Sequence, residues 1–125
     1  MAQEQLGKHV IADFWGCRKL HIDKVKQVLR KAVEKCGATL LHLKAHAFDS
    51  QGVSAFALIS ESHISIHTWP EFEFVAVDIF TCGERVDPYK ALEVLVDSFK
   101  PQAKHVLEVP RGDFENGWCD MVCGL

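Results

Sequence analysis

Apolar and polar positions along the chain separate into two periodicities. From Ile22 to Cys36 the apolar residues fall at Ile22, Val25, Val28, Leu29, Ala32, Val33 and Cys36, with Lys24, Lys26, Lys31 and Lys35 elsewhere. That spacing is one-sided and helical, and Gly37 stands where a left-handed cap would end the helix. Asp87-Pro88 supplies an N-cap and a first-turn proline for a second helix. Its apolar residues are Ala91, Leu92, Leu95, Val96 and Phe99, and Pro101 closes it. Elsewhere the period is two. His9–Trp15 reads as a first strand. Thr39–Phe48 sets Leu41, Leu43, Ala45 and Ala47 against His42, Lys44 and His46. After a turn at residues 49–52, Val53–Ser60 reads as a strand continuing toward His67, with an irregularity at Glu61-Ser62. Phe72–Phe80 and His105–Val109 follow, and the tail from Pro110 reads as irregular.

Strand, helix, several strands, helix, strand is the order expected of an α+β two-layer sandwich, an antiparallel sheet with two helices on one face. The other face would carry both apolar and polar groups, which suggests self-association as a homodimer or higher assembly. A chain of 125 residues is expected to be one domain. Hydrophobic residues at 48% provide a core, and charged residues at 25% are ordinary for a globular domain. The formal charge of −3 and the lack of a basic stripe argue against nucleic acid as a partner. Met1–Lys8 has no apolar core of signal-peptide length, and no apolar run approaches a membrane span. The expectation is a cytoplasmic protein without a membrane partner. Five cysteines, Cys17, Cys36, Cys82, Cys119 and Cys123, are an odd number without a C-x-x-C pair, so no disulfide framework is expected. Cys119 and Cys123 alone are two ligands short of a metal site.

The densest chemistry lies in Ser60–Glu71, where Glu61-Ser62-His63 is followed by His67-Thr68-Trp69-Pro70-Glu71. A hydroxyl follows a carboxylate residue directly, and two imidazoles lie within five residues, in a stretch with strand-like alternation. Polar groups that dense among apolar neighbours need partners or a task. Alternation alone puts Ser62 and His67 on opposite faces, because their offset is odd.

This segment resembles the self-cleavage site of the prokaryotic-type pyruvoyl-dependent S-adenosylmethionine decarboxylases. The resemblance runs from about His9 to Glu108 and its pieces come in family order. His9–Cys17 is similar to the opening strand, Gly52-Val53-Ser54 precedes the cleavage segment, and Phe80-Thr81-Cys82-Gly83-Glu84 and Val86-Asp87-Pro88 follow it. Asp13 replaces an expected glutamate, residues 48–51 differ from the more apolar loop of close relatives, and the tail after Arg111 has no evident counterpart.

The resemblance implies a lyase made as a zymogen. The Ser62 hydroxyl would attack the Glu61 carbonyl, and the resulting ester would eliminate, cutting the chain into residues 1–61 and 62–125; the dehydroalanine left at 62 would tautomerise and, on hydrolysis, lose ammonia to give a pyruvoyl group. That group would do the electron-sink work usually given to pyridoxal phosphate, for which this chain offers no fold; no metal is implied. The resemblance further implies that His67 and Ser54 assist processing and that Cys82 returns a proton to the substrate α carbon. A thiol suits that task because it ionises near neutrality. Phe48 would stack on the substrate adenine and Glu71 would bind its ribose. The implied product, decarboxylated S-adenosylmethionine, is the aminopropyl donor for spermidine and other polyamines.

Other readings stay open at this point. The same cleavage motif would serve an arginine or ornithine decarboxylase. His42, His46, His63 and His67 would share one sheet face and suggest a non-catalytic metal-binding dimerisation module, although residues four apart on a strand lie about 13 Å from each other and cannot chelate as pairs. A serine hydrolase built on Ser62 and His67 would lack the Gly-x-Ser-x-Gly elbow.

Overall fold

The computed structural model describes residues 5–60 and 62–113. Its elements are β1 (Gly7–Trp15), α1 (Ile22–Lys35), β2 (Leu40–Ala47), β3 (Val53–Ile59), β4 (Ser62–Trp69), β5 (Phe74–Cys82), α2 (Pro88–Phe99) and β6 (Ala103–Arg111), with a 3-10 turn at Pro70–Phe72. The strands form one sheet in the order β2-β3-β4-β5-β1-β6. Every neighbouring pair is antiparallel. Strands β2 to β5 are a meander, and β1 is inserted between β5 and β6 because each helix carries the chain back across the sheet. This is the expected α+β sandwich.

The helices form as their sequences require. Val25, Val28, Leu29, Ala32 and Val33 of α1 are buried together, as are Ala91, Leu92, Val94, Leu95 and Phe99 of α2. Gly37 adopts φ +86° just beyond α1. The Asp87 carboxylate accepts a hydrogen bond from the Tyr89 N–H at the start of α2. Lys100 closes α2 in the left-handed region, ahead of Pro101.

Alternation then decides which strand residues meet the helices. Val10, Ala12 and Phe14 of β1, Val53, Ala55, Ala57 and Ile59 of β3, Ile64 and Ile66 of β4, and Val75, Val77 and Ile79 of β5 are buried in one core with the two helices. Each of the valine, isoleucine and phenylalanine side chains among them contributes roughly 1.5–3 kcal/mol when fully buried. The opposite face has no layer over it. Trp15, Phe56, Leu58, Trp69 and Leu107 lie there, each at least 40% exposed. Among the described residues no helix is long and apolar enough to cross a membrane.

Three sequence expectations need correction. Residues 53–67 are not one interrupted strand but a hairpin: β3 and β4 pair in unbroken register from Ser54↔His67 to Ile59↔Ser62, so the irregularity at Glu61-Ser62 is where the chain reverses. Leu41 does not join Leu43 on the core face. The β2–β3 register shifts between Leu40 and His42, and this local slip leaves Leu41 60% exposed. The last strand runs from Ala103 to Arg111, because β1 offers nine consecutive partners, from Trp15↔Ala103 to Gly7↔Arg111.

Candidate active site

The residues singled out from sequence gather at the two ends of the β3–β4 hairpin. At the turn end, Ser62 opens β4 on the helix side of the sheet and is only 8% exposed. Its hydroxyl donates to the Ser60 carbonyl oxygen at 3.1 Å, one peptide unit before the bond it is expected to attack. Glu61, the other partner in that bond, lies outside the described residues, as do Cys119 and Cys123. Cys82, the last residue of β5, belongs to the same end, because His63 pairs with Phe80. Cys82 is half-buried and lines an open groove of about 550 Å³ together with Gly37, Thr39, Ser60, Glu84 and Arg85.

At the other end, Ser54 and His67 sit opposite each other and share a 2.9 Å hydrogen bond between Oγ and Nδ1. In the tautomer where Ser54 donates, the proton of His67 stands on Nε2, directed away from the serine. His46 pairs with Ser54 from β2, and its ring contacts Phe48 edge-on at 4.6 Å. Phe48 is 50% exposed at the end of β2. Glu71 is exposed in the 3-10 turn that follows Trp69, so it belongs to this end as well. An aromatic row continues from His67 through Trp69 and Phe74 to Trp15, with ring centroids 5.5–6.4 Å apart.

Within one chain the two groups do not meet. Ser62 and His67 are five residue steps apart on one strand, about 16 Å, and the two side chains leave opposite faces, as alternation predicts. The four histidines His42, His46, His63 and His67 share the open face, but among the described residues no three or more His, Cys, Asp or Glu side chains are grouped so as to hold a metal ion. The zinc-site reading has no geometry behind it.

Sequence reasoning missed a third cluster, at the centre of the open face. His9 Nε2 lies 3.0 Å from Asp78 Oδ1, and the Arg111 guanidinium donates to His9 Nδ1 at 3.0 Å. Because a guanidinium only donates, Nδ1 must accept, which places the imidazole proton on Nε2 and directs it to Asp78. His63 stacks on Phe56 at 5.5 Å, meets the edge of Phe80 at 5.8 Å and stands 6.3 Å from His9. Burial pushes the His63 imidazole below its ordinary value, helped by His9 and Arg111 and opposed by Asp78. The sequence signal was a single carboxylate in the middle of Val75–Phe80, where only apolar residues alternate otherwise. Arg111, read as part of an irregular tail, gave no signal.

The arrangement defines a class: a thin helix-backed sheet with a buried serine at a hairpin turn, a thiol at the same end of the sheet but on its open face, and a serine–histidine pair held apart from both. The family model described as S-adenosylmethionine decarboxylase matches residues 8–112, and the chain belongs to that family. An S-adenosylmethionine decarboxylase proenzyme of Methanococcus maripaludis strain S2 is 44% identical over 117 residues, 91% of this chain and 96% of the relative. A proenzyme of the same description from Thermosipho africanus is 44% identical over 115 residues, 90% of this chain and 88% of the relative. The crystal structure of the adenosylmethionine decarboxylase from Aquifex aeolicus superposes with a TM-score of 0.84 at 28% identity, covering 92% of this chain and 98% of that one.

Proposed function

We propose that this chain is a self-processing decarboxylase of S-adenosylmethionine, cut between Glu61 and Ser62 and active as a symmetric pair of processed copies. The observation that carries the reading is the position of Ser62: a buried hydroxyl at a tight turn, already directed back along the chain, in a family whose curated relatives are described as proenzymes. Ser62 Oγ attacks the Glu61 carbonyl carbon, the amide becomes an ester, and loss of the Ser62 α proton releases the new carboxyl end of the first fragment. These steps need a base and a group to stabilise the oxyanion, and the Ser54–His67 pair has the right chemistry for both.

The surroundings of Ser62 fit a pyruvoyl group. It would be shielded on the core side by Ile59 and Ile64, at the end of the sheet where Ser60 and Cys82 line the groove. When formed, it supplies a ketone that captures an amine and an amide carbonyl that shares the negative charge left by carbon dioxide. Cys82 then returns a proton to the substrate α carbon. Phe48 offers an exposed ring for the adenine, and Glu71 a carboxylate for the ribose hydroxyls.

Pairing follows from the separation of the two ends. The Ser54–His67 end of one copy, with Phe48 and Glu71, reaches the Ser62–Cys82 end of another when two open faces pack about a two-fold axis, and symmetry completes two sites at once. The exposed Trp15, Phe56, Leu58, Trp69 and Leu107 on that face support the same packing.

Denaturing intact mass spectrometry tests the reading. Two chains meeting at residues 61 and 62 are expected, the second blocked to Edman chemistry, with Ser62→Ala giving one inactive, uncut chain. Release of carbon dioxide from S-adenosylmethionine, and not from arginine or ornithine, is expected of the cut protein. Competent material consisting of one unbroken chain would refute it.

A further inference from the structure

The cluster on the open face ends in a cation beside the proposed proton donor. Gly7 of β1 has two register partners, Cys82 on β5 and Arg111 on β6. All three therefore share one face, in a row across three strands. A Cβ at Gly7 would lie 2.7 Å from Phe80 Cε1 and 3.4 Å from Cys82 Sγ, so the Phe80 ring and the thiol converge on the space that glycine leaves empty. Arg111 uses the same gap: its guanidinium carbon lies 5.2 Å from the centroid of the Phe80 ring. The two backbone positions are two strand spacings apart, about 9.6 Å, and the long Arg111 side chain spans much of that gap to reach the Phe80 ring.

Arg111 is also held in place. Its NH1 donates to His9 Nδ1, and His9 is fixed in turn by Asp78 through Nε2. The ring can serve Arg111 only while Nδ1 keeps its lone pair, so the Asp78 contact selects the tautomer that aims the cation. An exposed arginine at a strand end has no need of such a brace for stability alone.

We infer that Arg111 is a charge-positioning residue of the reaction, braced by His9 and Asp78 across Gly7, which stabilises the thiolate form of Cys82. The inference rests on the reading of Cys82 as proton donor. In that step the Sγ–H bond of Cys82 breaks, its proton joins the α carbon carrying the electron pair left by departing carbon dioxide, and the negative charge passes to sulfur. Solvent reprotonates the thiolate before the next turnover. A fixed cation lowers the cost of the charged sulfur and leaves substrate binding alone. Among the described residues, Glu84 and Arg85, of opposite sign, line the groove with Cys82, and Asp78, His9 and His63 face it along the open side.

The test uses processed enzyme and two readouts, the pH dependence of iodoacetamide alkylation at Cys82, read by peptide mass spectrometry, and kcat and KM with S-adenosylmethionine. Arg111→Gln is expected to move the alkylation limb up by about one pH unit. It is also expected to lower kcat about tenfold with KM unchanged within about twofold. Arg111→Lys should restore most of both. His9→Phe, which removes the brace but not the charge, should move the limb by a smaller amount in the same direction. A limb that stays in place in both Arg111→Gln and His9→Phe overturns the inference, whatever happens to turnover. Full turnover by Cys82→Ala would instead overturn the proton-donor reading, through a variant that touches neither Arg111 nor His9.

Discussion

Ser54 and His67 are joined by a 2.9 Å hydrogen bond at the open end of the β3–β4 hairpin, while Ser62, the residue they are proposed to help convert, stands at its turn. The separation is fixed by pairing that runs without a bulge from one end to the other, so no local adjustment of one copy brings them together.

The first expectation follows directly. Ser62→Ala and His67→Ala, each produced alone, should remain uncut, the second slowed at least a hundredfold if His67 provides acid–base catalysis. Produced together, they should yield cut His67→Ala chain, because a mixed pair places the intact Ser54–His67 of one copy against the intact Ser62 of the other. Random pairing would expose about half of the His67→Ala chains to such a partner. Intact mass spectrometry of the mixture reads the result, and no cutting at all would refute the shared site.

Gly7→Ala should destabilise the fold. The added methyl would sit 2.7 Å from the Phe80 ring and 2.8 Å from the Thr81 carbonyl oxygen, and the second of these is backbone in a central strand. Overpacking of this kind costs about 1–3 kcal/mol. Urea unfolding at neutral pH is the measurement, and an unchanged midpoint would contradict the packing described here.

His63 ties stability to pH. Its imidazole is pushed down chiefly by loss of solvent, then by His9. Below its unfolded value of about 6.5 the unfolded chain takes up a proton that the folded chain resists. Its contribution is therefore fully present above about pH 6.5 and is lost as pH falls from there toward the depressed folded value. His63→Phe keeps a ring between Phe56 and Phe80 and removes the titration. Between pH 7.5 and 5.5 its urea midpoint should fall less than that of the unmodified protein; an equal fall would assign the acid sensitivity to other groups.

Cys17 should be inert in the folded protein. Burial first, and the Glu73 carboxylate second, push its thiol up to about 11, so little thiolate exists at neutral pH. Iodoacetamide at pH 7.5 is expected to spare Cys17 in native protein and to modify it once urea unfolds the chain. Prompt native modification would show that the loop after β1 opens.

Much of this was legible in the residues themselves. Helical spacing in Val25–Val33 and Ala91–Phe99, the Gly37 and Asp87-Pro88 caps, and strict alternation in β1, β3 and β5 give the sandwich without further help. The order of Glu61-Ser62-His63, His67 and Phe80–Glu84 led to the family. Two kinds of information were beyond local patterning. The chain reverses between Ile59 and Ser62 without a glycine, proline or asparagine, so local patterning shows only a flaw in one strand. The Arg111 brace depends on which strands lie side by side, and the neighbours Gly7, Cys82 and Arg111 are far apart in sequence and adjacent only because β1 is inserted between β5 and β6.

The length of the β3–β4 hairpin has a consequence for how the protein behaves at low abundance. Under the proposed shared site, with half of the chemistry at each end of the hairpin, a solitary copy is a spectator, and maturation requires an encounter. Dilution below the dissociation constant of the pair should leave newly made chains whole, whereas crowding should ripen them, so the stock of working enzyme would climb more steeply than the amount of polypeptide synthesised.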